Sequence, residues 1–79
     1  MHLTETLSIA IVTLLRPLVR ILLRNGVAYG TFAELAKKAY ADVAHADFGD
    51  GGRKQTVSRV SALTGLTRKE VKRLLELPV

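Results

Sequence analysis

Between Leu3 and Leu23, the apolar residues Leu3, Leu7, Ile11, Leu14, Leu18 and Leu22 follow the alternating three- and four-residue step of a helix face. A second row, Ile9, Val12, Leu15, Val19 and Leu23, fills the neighbouring face, so the segment is apolar around much of its circumference. A helix of that kind is normally buried on more than one side. No other feature constrains the fold as much, because 79 residues make one small helical domain, and a domain of that size buries only about 60 to 65% of its unfolded surface. The helix is therefore expected to pack against the rest of the chain and against a second copy in a symmetric dimer. Leu7, Ile11, Leu14, Leu18 and Leu22 form the expected dimer interface. Pro17 removes one helical hydrogen bond and crowds the carbonyl of Thr13, which predicts a kink or two abutting helices. Asn25-Gly26 supplies the stop.

The same segment raises the question of a membrane. A spanning helix needs roughly 20 mostly apolar residues, whereas the uncharged run from Leu7 to Leu15 is short and is followed by Arg16 and Arg20. Charges in that position are costly in hydrocarbon. A signal peptide fits poorly too, since the basic residues follow the apolar run instead of preceding it. The expectation is core packing or a dimer seam, no membrane insertion, and a cytoplasmic protein.

Composition points to helices throughout. Thirteen Leu and nine Ala stand against only four aromatic residues, and both of those abundant types favour helix. The absence of Cys excludes disulfide frameworks, thiolate metal sites, iron–sulfur clusters and cysteine nucleophiles together. Twelve basic residues against seven acidic ones give a formal net charge of +5, which favours an acidic partner.

Thr31 with Glu34 reads as a capping box that opens a second helix. Phe32, Leu35, Ala36, Ala39, Tyr40 and Val43 mark its expected core face, with Lys37, Lys38 and Asp42 on the solvent side. The helix is expected to fray near Ala46, ahead of a linker at Asp47 to Gly52 whose three glycines break any helix. That linker divides an apolar part, residues 1–46, from a second unit, residues 53–77.

The second unit concentrates charge. From Arg53 to Arg73 there are seven bases, Arg53, Lys54, Arg59, Arg68, Lys69, Lys72 and Arg73, against the single acid Glu70. Residues 53 to 64 predict a short helix with Val57, Val60, Ser61 and Thr64 inward, ended by Gly65. Thr67 with Glu70 as capping box, and Leu66 with Val71 as hydrophobic staple, start another. Two short helices joined by a tight glycine turn form a helix-turn-helix unit. On a wheel of the last helix, residues 67–76, Val71, Leu74 and Leu75 share the inward arc. Lys69 and Arg73 lie opposite that arc, with Arg68 and Lys72 on its shoulder. Such a helix is shaped to enter a major groove, while Arg53, Lys54, Gln55, Thr56 and Arg59 are placed near the phosphate backbone.

Val60-Ser61-Ala62-Leu63-Thr64-Gly65-Leu66-Thr67-Arg68 and Val71-Lys72-Arg73-Leu74-Leu75 resemble the helix-turn-helix motifs of bacterial transcription factors. The resemblance implies that Arg68, Lys69, Lys72 and Arg73 belong to a recognition helix. Ser61 departs from it, since such motifs usually place Ala there. More broadly, Leu14 to Val27, Tyr29-Gly30 and Phe32 to Lys37 look like the start of an uncharacterised family of bacterial helix-turn-helix-like proteins, a likeness extending through Leu75. Members of that family are longer, which implies that this chain is the amino-terminal part of a larger protein. The likeness implies a bacterial, cytoplasmic regulator and supplies no catalytic residue.

Other constellations have plainer explanations. Asp42, His45, Asp47 and Asp50 could be read as metal ligands, but His45 near a helix end suits the helix dipole, and Asp47 and Asp50 are ordinary loop formers. The Asp47 to Gly52 stretch lacks both the ligand alternation of a calcium loop and the ending of a phosphate-binding loop. No nucleophile has a plausible base. The sequence thus predicts an all-α fold of about four helices, a dimeric helix-turn-helix bundle that binds duplex DNA. No catalysis, metal, cofactor or small-molecule ligand is expected. The alternative is a protein-interaction or dimerisation module that works through the first helix and leaves the basic face idle.

Overall fold

The computed structural model describes residues 3–47 and 55–78. It contains four helices, α1 (Leu3–Arg24), α2 (Tyr29–Asp47), α3 (Val57–Thr64) and α4 (Arg68–Glu76), with no strand among the described residues. The fold is all-α, as expected from the sequence. Of the expected linker, Asp47 to Gly52, the first residue ends α2 and Phe48 to Gly52, Asp50 among them, lie outside the described residues, as do His2, Arg53 and Lys54.

The chain divides into two compact units, one reaching Phe32 and the other starting at Ala33, so the boundary falls inside α2 and not at the glycine linker. In the first unit, α1 is a single helix with Pro17 inside it, and the two abutting helices that Pro17 allowed are not formed. Gly26, at φ 74°, ends α1. Its N–H donates to the Leu23 carbonyl at 3.1 Å and the Val27 N–H to the Leu22 carbonyl at 2.9 Å. This pair of bonds is a Schellman cap, which the left-handed glycine makes possible. The expected burial of α1 is not met, for none of its residues is buried.

Around α2 the expected faces are exchanged. The helix starts at Tyr29, so Thr31 lies inside it and not at its cap, and the Ala28 carbonyl takes the first bond, from the Phe32 N–H at 3.2 Å. Its buried residues are Lys38, Ala41 and Ala44. The stripe expected to form the core is largely on the surface, with Leu35 50%, Tyr40 65% and Val43 48% exposed. Lys38, expected in solvent, is only 8% exposed and reaches Asp42 with its ammonium at 2.9 Å.

The second unit has its core where α2, α3 and α4 meet. Ala41, Ala44, Val60, Val71 and Leu74 are buried there, with Val57, Leu66 and Leu75 packed against them. Thr56 caps α3, accepting from the Arg59 N–H at 3.2 Å, and Thr67 caps α4, accepting from the Glu70 N–H at 3.1 Å. The helix expected from Arg53 therefore begins only at Val57.

Candidate nucleic-acid interface

The turn between α3 and α4 is held by hydroxyl groups. Gly65, at φ 79°, donates from its N–H to the Ser61 carbonyl at 3.0 Å. The Ser61 hydroxyl donates to the Leu66 carbonyl. Thr64 Oγ1 donates to the Val60 carbonyl at 2.8 Å and accepts from the Leu66 N–H at 3.2 Å. These bonds satisfy backbone groups that the abrupt change of direction would otherwise leave unpaired. With the turn fixed, Val71 and Leu74 point into the core and set the rotation of α4.

That rotation sorts the cations. Arg68, Lys69 and Lys72 lie within about 100° of arc on α4, Lys69 opposite its buried edge and Arg68 and Lys72 on the shoulder, and all three are exposed. Arg68 extends Nη1 to within 3.5 Å of Ser58 Oγ on α3. Arg59, also exposed, lies in the first turn of α3. Among the described residues, the side chains of Arg59, Lys69 and Lys72 pair with no acid.

Arg73 stands apart from this group. Its guanidinium forks onto Glu34 of α2, with Nη1 2.9 Å from Oε2 and Nη2 3.1 Å from Oε1. It also donates to Glu70 Oε2 from Nη2 at 2.7 Å and from Nε at 3.0 Å. Lys37 closes the ring from α2, donating to Glu70 Oε1 at 3.0 Å and lying 3.9 Å from Glu34 Oε1. The bonds from Arg73, and then from Lys37, hold the Glu70 carboxyl below its ordinary pKa. The bonds to Glu34, and then to Glu70, push Arg73 further above its own. Two cations and two carboxylates thus neutralise each other and tie α2 to α4. The sequence predicts both acids as partners in local capping boxes, whereas in the structure their carboxylates join ion pairs that link α2 and α4.

The remaining expected site residues fall as follows. Thr56 is the cap of α3, and the Gln55 N–H donates to the His45 carbonyl at 3.0 Å. In the expected dimer seam Leu7, Ile11, Leu14 and Leu18 are exposed and Leu22 is half-buried. No cluster of three or more metal-ligating side chains occurs among the described residues. Sequence reasoning also missed an apolar groove of about 420 Å³ lined by Ala39, Tyr40, Val43, Ala44, Leu63 and Thr64. Its signal is present in Tyr40 and Val43, which periodicity alone assigns to the core.

No curated protein and no solved structure matches the chain. A family model described as a family of unknown function, DUF6502, matches residues 4–79. Since that match covers nearly the whole sequence, the chain belongs to the DUF6502 family.

Proposed function

We propose that the second unit binds duplex DNA through the exposed side of α3 and α4, with Arg68, Lys69 and Lys72 at the groove and Arg59 at the phosphate backbone. The observation that carries this reading is the set of exposed cations without acidic partners, placed together on a helix that is capped, rotated and braced from behind. A helix fixed this way presents its cations together, within reach of phosphates and guanine edges. Arg73 has a different part in this reading. It braces α4 against α2 through Glu34 and Glu70 and is a positioning residue.

Gel retardation and a salt titration test the proposal. On random duplex, where no base contact is selected and all four cations rest on phosphates, the affinity should fall linearly on a log–log plot with a slope of magnitude about three to four. No retention at low salt, or an affinity indifferent to salt, would reject it. A selected pool retained more strongly than random duplex identifies a sequence-selective regulator; equal retention identifies an architectural DNA-binding protein.

A protein-interaction module is the second reading. It is favoured by the apolar side chains left on the surface of α2, Leu35, Tyr40 and Val43, beside the groove. Sedimentation of the chain at increasing concentration, with no nucleic acid present, reads self-association directly.

A further inference from the structure

We infer that α1 is an interfacial helix that lies on an anionic lipid surface. The inference concerns the first unit and does not depend on DNA binding by the second. By length and composition α1 is apolar enough to cross a membrane, and it leaves all of its residues unburied. At about 1.5 Å of rise per residue, its 22 residues outlast the short run that argued against the membrane in the sequence.

The distribution of side chains around α1 selects how it meets lipid. At about 100° per residue, Arg16, Arg20 and Arg24 fall in one sector about 80° wide, which also holds the exposed Ile9 one turn and more towards the start of the helix. Leu3, Leu7, Ile11, Leu14, Leu18 and Val19 lie in an opposing, mainly apolar arc of about 160°, each at least 37% exposed. Glu5 is the single acid on the helix. A broad apolar arc with a narrow arginine strip is the pattern of a helix in the plane of the headgroups, with its apolar side in the acyl boundary. Arg20 at the centre of the strip faces the headgroup layer, and Arg16 and Arg24 on its borders reach lipid phosphates with their alkyl stems along the apolar side. In a spanning orientation Arg16 would lie near mid-depth, where charge is most costly. A second copy fits less well, because a two-helix seam covers only a narrow stripe and would leave much of the arc in water.

Vesicle co-sedimentation of the full chain tests this. Partitioning should be at least tenfold stronger on phosphatidylcholine vesicles containing phosphatidylglycerol than on phosphatidylcholine alone, and bound protein should be released by alkaline carbonate. Arg16→Gln and Arg20→Gln should each weaken the anionic partition about fivefold. Leu18→Glu should abolish binding while leaving retention on duplex DNA unchanged, since Leu18 is already 41% exposed and no core is lost. The double variant Lys69→Gln, Lys72→Gln should leave vesicle binding unchanged, which separates α1 from the cations of α4. Equal binding to both vesicles would overturn the inference, as would resistance to carbonate, which marks a span. So would a dimer lost in Leu18→Glu from a chain that binds neither vesicle.

Discussion

A hydroxyl at position 61 supplies what a methyl group there would not. Ser61 donates to the Leu66 carbonyl across the α3–α4 turn, so a serine at this position has a local physical reason. Ser61→Ala should lower stability by about 1 kcal/mol, the net worth of one intramolecular hydrogen bond, read as a shift in urea midpoint at unchanged m-value. Glu70 makes a prediction in pH. Folding holds its carboxyl below the ordinary value of 4.5 because Arg73, and then Lys37, hydrogen-bond to it. A depressed acid stabilises the fold above its unfolded pKa and loses that contribution as pH falls through the folded one. The urea midpoint of Glu70→Gln should therefore lie below that of the parent at pH 7, and the two curves should converge as pH falls below about 4.5. Curves that stay parallel to the acid end would deny the ion pairs a role in stability.

At the scale of elements, the helices and their stops were legible and the orientation of α2 was not. Gly26 and Gly65 mark ends that a left-handed residue must make, and Thr67 marks a beginning; these signals are local and therefore readable. The face of α2 is decided by its neighbours. Periodicity selected the largest apolar side chains, Leu35, Tyr40 and Val43, whereas the core takes the small ones, Ala41 and Ala44, beside Val60, Val71 and Leu74. Small residues let backbones approach, and no count of hydrophobicity along one strip of sequence registers that. Ala41→Leu should destabilise by about 1 to 3 kcal/mol through overpacking, because Ala41 is fully buried. Leu35→Ala, at a half-exposed site, should cost well under half as much. The reverse order in thermal denaturation would restore the face that periodicity selected.

At the scale of the molecule, the distribution of charge separates cations by what they face. The basic excess from Arg53 to Arg73 was visible in the sequence, and so was the wheel that put Arg68, Lys69 and Lys72 outward. The diversion of Arg73 to Glu34 was not visible, since the two lie 39 residues apart and meet only once α2 and α4 share a core. In the proposed division of labour, the unpaired cations meet DNA and Arg73 holds the helix that carries them. Salt dependence of duplex affinity, measured beside urea denaturation for Lys72→Ala and Arg73→Ala, tests it most directly. Lys72→Ala should reduce the magnitude of the log–log slope by about one unit at an unchanged midpoint, and Arg73→Ala should lower the midpoint at an unchanged slope. A slope reduced by Arg73→Ala and untouched by Lys72→Ala would contradict the account.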